Sequence, residues 1–218
     1  MLLVEFGDAA RNRRGPTEKP TIQHVLEELR SNAALRREMR ALLDAIATRV
    51  IGVAPSPGIP VPEGVPLALH RVYTRRQVFA AFGWKSIWRS TPQTGVAWIP
   101  EVRAYIMLVT LEKDTDSFTE RTRYRDYAIS PSVFHWQSQA TARPDRGDGA
   151  HVVEARDGEA TMWLFVRRST DDEFGTEPYV FMGAFMPTSI EGARPMSVTG
   201  DLANAMPAEW FEVAARAR

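Results

Sequence analysis

The sequence contains no cysteine, which excludes a thiol nucleophile, a disulfide bond and a thiolate metal ligand. A chain without cysteine suits a reducing compartment, so we expect the protein in the cytoplasm. Long apolar runs are also missing, and none approaches the roughly 18 residues that cross a bilayer. We therefore expect neither a membrane span nor a signal peptide.

An excess of positive charge is missing as well. Lys and Arg together number 27, as do Asp and Glu, so the formal net charge is zero. A strongly basic protein that coats nucleic acid is thus excluded, although a neutral chain can still concentrate positive charge on one face. With 44% hydrophobic residues in 218, the chain is long and apolar enough to bury a sizeable core.

Changes in composition predict three stretches: a helical arm (1–50), a linker (51–66) and one large domain (67–218). Apolar residues in the arm recur at spacings of three and four, which predicts two amphipathic helices. They either fold onto the rest of this chain or dock against another domain. The linker is rich in proline and glycine, which disfavours both helix and sheet.

The third stretch has the pattern of an α+β domain with an antiparallel, β-rich and barrel-like core. A capping box at Thr74 and Gln77 predicts a short helix, and a closing helix is expected over 207–217. We expect Ile106, Leu108 and Trp136 in the core, together with Phe165 and Phe181. Apolar, β-branched and aromatic runs predict six strands: 96–99, 104–111, 124–129, 133–140, 161–167 and 179–186.

Motifs of well-known enzymes are missing from the sequence. In the string Gly83-Trp84-Lys85-Ser86, a tryptophan separates the glycine and lysine that a phosphate-binding loop needs side by side. The four histidines are too far apart to indicate a zinc site, and there is no Gly-x-Ser-x-Gly elbow. The chain by itself is therefore not predicted to be an ATPase, and no catalytic residue is assigned.

A row of polar side chains marks the predicted strand 133–140. Strand alternation places His135, Gln137 and Gln139 on one face. Such a face can be simply solvated, or it can be a row of donors and acceptors for base edges. Just before it, Arg123 and Arg125 alternate with an aromatic residue, which suits phosphate contacts but is also typical of a solvated surface. These five residues are the candidate nucleic-acid-binding site.

Asp126 offers an alternative, a metal-dependent nuclease. Restriction-type nucleases hold Mg²⁺ with a strand-borne aspartate and a following acid-x-Lys motif. The chain has only three lysines, and Glu112-Lys113 lacks the intervening residue and precedes Asp126. Catalysis with Mg²⁺ is therefore the second hypothesis, and no cofactor is expected under the first.

Five strings stand out together in the third stretch: 70–75 (HRVYTR), 123–130 (RYRDYAIS), 134–139 (FHWQSQ), 164–167 (LFVR) and 191–196 (EGARPM). In this order they resemble the uncharacterised C-terminal domain of bacterial superfamily II DEAD/DEAH-box helicases, which often also carry a phospholipase-D-like nuclease module. The resemblance covers about residues 67–210. It departs from the family pattern at Ile190, where histidine is common, and at Gly200-Asp201, where a Trp-Arg pair is usual.

The resemblance implies a helicase-associated, DNA-binding module of a DNA-processing or phage-defence system. DNA is the expected ligand. The expected protein partner is a superfamily II helicase, acting in trans or as an upstream part of the same polypeptide. A module that docks proteins through its helical arm is the third hypothesis.

Overall fold

The computed structural model describes residues 27, 30–50, 59–87, 89–112, 126–172 and 175–217. The chain divides into two compact units, Met1–Ser56 and Pro57–Arg218. Arg123 and Arg125 of the predicted site lie outside the described residues, as does most of the first predicted arm helix. No helix in the described ranges is both long and apolar enough to cross a membrane.

The first unit contains helix α1 (Ala33–Val50). Asn32 caps it, because its Oδ1 accepts the backbone N–H of Leu35 at 3.0 Å. The spacing of apolar residues thus correctly predicted the second arm helix. Two of those residues, Leu42 and Leu43, are exposed.

The described residues of the second unit form one mixed sheet of eight strands, a separate two-stranded ribbon and three α-helices. The helices are α2 (Arg75–Ala81), α3 (Asp148–Arg156) and α4 (Ala208–Arg216). The sheet strands are β1 (Val72–Tyr73), β2 (Val96–Ile99), β3 (Ala104–Thr110), β4 (Tyr127–Ser130), β5 (Val133–Gln137), β6 (Thr161–Arg167), β9 (Tyr179–Glu191) and β10 (Ser197–Leu202), and the ribbon is β7 (Asp171–Asp172) with β8 (Gly175–Thr176). The sheet order is β2-β3-β6-β9-β10-β5-β4, and β1 also pairs with β9.

The predicted α+β class, with its antiparallel β-rich core, is confirmed. One pair departs from the antiparallel pattern: β3 and β6 run parallel, with Ala104 opposite Thr161. The sheet is also not closed into a barrel. Its edge strands β2 and β4 have four residues each, and within the described chain no ladder joins them. The expected barrel is therefore an open, mixed sheet.

The central strands are buried on both faces, as their nearly continuous apolar sequences require. One face carries a core that includes Met107, Leu164 and Trp136, against which α3 and α4 pack. On the other face the rings of Trp163, Phe165 and Phe181 lie together. All five predicted core residues, Ile106, Leu108, Trp136, Phe165 and Phe181, are at most 5% exposed.

The capping box is also confirmed, and it positions α2. Thr74 Oγ1 accepts the backbone N–H of Gln77 at 3.3 Å, while Gln77 Oε1 accepts that of Thr74 at 2.9 Å. The first residue of this helix is Arg75. Two reciprocal bonds therefore fix the backbone from which the Arg75 side chain extends.

Helix α3 and strand β10 were not predicted. Each contains a glycine, Gly149 in the first turn of α3 and Gly200 within β10, and glycine disfavours both helix and strand. At Gly149, a Cβ would lie 2.0 Å from the carbonyl oxygen of Arg143. At Gly200, where the register of β10 against β9 shifts, it would lie 2.4 Å from the carbonyl oxygen of Met186. Tertiary packing, and not a turn, requires both glycines.

We predict that Gly200→Ala destabilises the domain by about 1–3 kcal/mol, because the backbone must move to admit the methyl group. Urea unfolding measures the change. Gly158→Asn is the control, since Gly158 has a φ of +81° that asparagine tolerates and open space around its Cβ position. Equal stability of Gly200→Ala and the wild type would contradict the described β9–β10 register.

The partial burial of the His70 side chain leads us to expect that the stability of the domain depends on pH. Its backbone N–H donates to Phe181 at 2.8 Å, and its Nε2 is buried without a hydrogen-bond partner in the described chain. Burial lowers the pKa of His70. In the unfolded chain the pKa of a histidine is near 6.5. The folded domain therefore keeps its full stability above about pH 6.5, and loses stability as the pH falls through the lower pKa of the folded state.

We expect His70→Asn to lose less stability than the wild type between pH 7 and pH 5. Asparagine tolerates the φ of 58° at this position and does not titrate. Urea unfolding at both pH values gives the comparison. Identical losses in the two proteins would mean that the imidazole does not contribute to the pH dependence.

Candidate nucleic-acid interface

A cavity of about 290 Å³ lies in the second unit, at the Thr110 end of β3, the Gln137 end of β5 and the Arg167 end of β6. Its floor is partly apolar, and polar or charged side chains stand around it. It is lined by Arg75, Gln93, Gly95, Val96, Leu108, Val109, Thr110, Asp126, Trp136, Gln137, Gln139, Arg167, Thr170 and Tyr179.

The apolar floor is an extension of the core. Val96, Val109 and Trp136 belong to the cluster packed on one face of the sheet, and they also line the cavity. Their positions are therefore fixed by core packing, which holds the side chains of a folded domain in single rotamers. A flat, apolar ring system fits such a floor.

Asp126 is one of three buried polar or charged residues in the described chain, at 7% exposure. It directly precedes β4, and its Oδ1 accepts the backbone N–H of Gln137 at 3.0 Å. This bond ties the start of β4 to the end of β5. It also holds a carboxylate in the cavity wall.

Arg167 is the buried cation of the site, also 7% exposed. Its Nε donates to Thr110 Oγ1 at 2.9 Å, and its Nη1 donates to the carbonyl oxygens of Thr170 and Glu177 at 3.2 and 3.3 Å. Its Cζ lies 4.7 Å from the ring centre of Tyr179. Among the described residues no carboxylate forms an ion pair with it. Among the described residues, the charge is thus held by dipoles and a ring.

Arg75 approaches the same tyrosine from α2. Its Nη1 donates to the carbonyl oxygens of Pro92 and Thr94 at 2.7 and 3.0 Å. Its Nη2 donates to the Tyr179 hydroxyl at 3.2 Å. Two guanidinium groups are therefore organised around one buried ring, on which both make cation–π contacts.

A second cleft, of about 460 Å³, shares four lining residues with the cavity: Arg75, Gln93, Arg167 and Tyr179. We call it the arginine cleft. Its carboxylate, Glu177, accepts hydrogen bonds from the backbone and hydroxyl of Ser169. The other lining residues are Thr74, Arg76, Arg89, Ser90, Thr91, Thr176 and Pro178.

Positive charge is concentrated here, although the whole chain is neutral. Among the described residues, four arginines line the cavity or the cleft, against the two carboxylates of Asp126 and Glu177. A concave surface with low-dielectric walls focuses such an excess. The surface is therefore suited to an anionic ligand.

Residues 67–213 match the family model described as Domain of unknown function (DUF3427). The chain belongs to this family. No curated protein matches it. A crystal structure of Arabidopsis thaliana SUVH6 in complex with SAM is similar over 74% of this chain, with a TM-score of 0.42 and 12% sequence identity. This chain spans 30% of that protein chain.

Within the DUF3427 domain, the predicted site residues have separate locations. Gln137 and Gln139 line the cavity together with Asp126. His135 does not line it. The positions of Arg123 and Arg125 lie outside the described residues, so their role stays a prediction.

The location of His135 follows from the position of β5 between β4 and β10. Its ring stacks on Tyr127, its partner on β4, with 4.6 Å between ring centres. Its Nε2 lies 2.8 Å from Ser197 Oγ on β10. Because β5 ends at Gln137, the alternation of side chains along a strand does not extend to Gln139, and the predicted common face of His135 and Gln139 does not follow from it. His135 is thus engaged within the sheet.

Sequence patterns missed Arg75, Arg167 and Tyr179. A signal for Arg167 was present in the sequence, because this arginine ends the otherwise apolar run 162–167. A charged residue in a strand that is buried on both faces needs a structural partner or a ligand. Nothing local in the sequence places Arg75 beside it, because the two residues meet only through the fold.

The nuclease hypothesis gains no support from the described part of the DUF3427 domain. No three His, Asp or Glu side chains in it come together to hold a metal ion. Asp126 makes a structural bond to the Gln137 backbone, as given above. Its catalytic role with Mg²⁺ stays a prediction.

We expect Asp126→Ala to lower the free energy of unfolding by about 1–3 kcal/mol, because the Gln137 N–H loses its acceptor. Asp126→Asn keeps an oxygen at the same position and should lose clearly less. Urea unfolding of both variants tests this. Equal losses would show that the carboxylate charge, and not the bond to Gln137, stabilises the wall.

Proposed function

We propose that this DUF3427 domain is a DNA-recognition module of a helicase-associated DNA-processing or phage-defence system, and that binding is its output. The observation that carries the proposal is the arrangement of the cavity beside the arginine cleft. One surface thus offers groups for bases and groups for phosphates. A protein that reads nucleic acid needs both.

The arginine cleft supplies the phosphate contacts. A guanidinium group presents planar N–H donors that match phosphate oxygens. In the described chain, neither Arg75 nor Arg167 forms an ion pair with a carboxylate, so an incoming phosphate does not have to displace one. The hydroxyl groups of Ser90 and Thr91 line the same cleft and can donate to the same oxygens.

The cavity supplies the base contacts. Gln137 and Gln139 carry amide groups, each of which both donates and accepts hydrogen bonds, as base edges require. Asp126 provides an acceptor, and Trp136 lies in the floor. Aromatic and amide groups together suit a nucleobase better than they suit a simple anion such as phosphate.

The strings that resemble the helicase C-terminal domain support the proposal, because four of the five contribute a residue to the cavity. Arg75, Asp126, Gln137 and Arg167 come from four different strings, and all line the cavity. The fifth string contributes Met196, whose backbone N–H donates to Ser138 Oγ at 2.8 Å. Residues scattered over the sequence thus meet at one place, as expected if the strings mark a shared function.

The protein should bind short single- or double-stranded DNA with an affinity that falls steeply with salt, because phosphate contacts release counterions. Fluorescence anisotropy at 50 and 200 mM salt measures the change. Absence of binding to either form at 50 mM would overturn the proposal and favour the protein-docking hypothesis. Mg²⁺-dependent cleavage that Asp126→Ala abolishes would instead favour the nuclease.

Arg89→Ala should reduce the slope of log affinity against log salt by about 1, since it removes one phosphate contact from the cleft. Arg71→Ala is the matched control. Both arginines are exposed, and only Arg89 lines the cleft. If the two variants change the slope equally, the DNA does not lie in the arginine cleft.

A further inference from the structure

We infer that the cavity takes one nucleobase that has left its stack, while the phosphate of the same nucleotide lies on Arg75 and Arg167. This inference rests on the proposed function and names the ligand of its site. Three observations support it: the shape of the cavity, its apolar floor, and the absence of a carboxylate partner for Arg167 among the described residues.

The shape favours a single base over an intact duplex. Base edges in a duplex lie at the floor of a groove, and a protein reaches them with a protruding helix or ribbon. Here the amide and carboxylate groups of Gln137, Gln139 and Asp126 line a cavity. A base that enters the cavity meets all three groups, and to enter it the base must leave the helix or be unpaired already.

The size and floor fit one ring system. The cavity volume of about 290 Å³ is at the small end of ligand pockets, which span roughly 300–1,000 Å³. Val96, Val109 and Trp136 provide apolar area for the base, and the polar groups on the wall can meet its edge. Several stacked bases would exceed this space.

Arg167 places the phosphate next to that base. It is more than nine-tenths buried, lines both the cavity and the cleft, and has no carboxylate partner in the described chain. A buried cation is costly unless its charge is compensated. Arg75 and Tyr179 also line both spaces. A group attached to a base in the cavity can therefore reach the arginines directly.

Three duplexes of one sequence test the inference by fluorescence anisotropy. The first is fully paired, the second carries one unpaired nucleotide, and the third carries an abasic unit at that position. We expect the second to bind at least about tenfold more tightly than the first, because no pair has to be broken. The abasic duplex should lose this gain, since it has no base to place in the cavity.

Gln139→Ala should remove most of the preference for the unpaired nucleotide. The substitution keeps the backbone bond from Ala142 to the Gln139 carbonyl, so the loop is expected to fold. Thr141→Ala is the control, because Thr141 is exposed in the same loop and does not line the cavity. It should retain the full preference.

The outcomes separate this inference from the function on which it rests. Salt-dependent binding of all three duplexes with equal affinity would overturn the inference and leave DNA recognition in place. Equal affinity for the abasic and unpaired duplexes would also overturn it, because the base would then make no contribution. Absence of binding to every duplex would overturn both.

Discussion

The Arg167 guanidinium joins the parts of the candidate site. It extends from the last residue of β6, reaches Thr110 at the end of β3, and bonds the carbonyl oxygens of Thr170 and Glu177 in the connection to β9. A buried charge without these bonds would destabilise the fold, so the surrounding chain is organised to solvate it. This solvation comes from dipoles and from the ring of Tyr179, with no carboxylate ion pair among the described residues. Under the proposed function, a DNA phosphate compensates this charge.

The same constraint accounts for the neighbouring groups. Tyr179 is held by Arg167 on its ring and by Arg75 at its hydroxyl. The position of Arg75 in turn depends on the capping box of α2 and on the two carbonyl oxygens that accept hydrogen bonds from its Nη1. Elsewhere in the lining of the cavity, Asp126 links β4 to β5. The site is thus preorganised by bonds that its residues make within the protein, which lowers the conformational cost of binding a ligand.

Local patterns predicted what depends on local structure. Strand 161–167 agrees with its apolar run to the residue, and the capping box appears as expected. The core residues are buried because β-branched and aromatic runs have few other places in a folded domain.

Non-local features could not be predicted in this way. The parallel pairing of β3 with β6 joins residues more than 50 positions apart, and the role of Gly200 depends on a carbonyl group of another strand. Of the site candidates recognised from sequence, Gln137, Gln139 and Asp126 line the cavity. Arg75 and Arg167 line it too, but only the fold brings them beside the other three, so sequence patterns did not identify them.

A structure of the protein bound to a short duplex with one unpaired nucleotide tests the central claim most directly. The account predicts the unpaired base inside the cavity, above Val109 and Trp136, and a phosphate within hydrogen-bond distance of Arg75 or Arg167. DNA bound on another face, with the cavity holding no base and both guanidinium groups away from the phosphates, would contradict it.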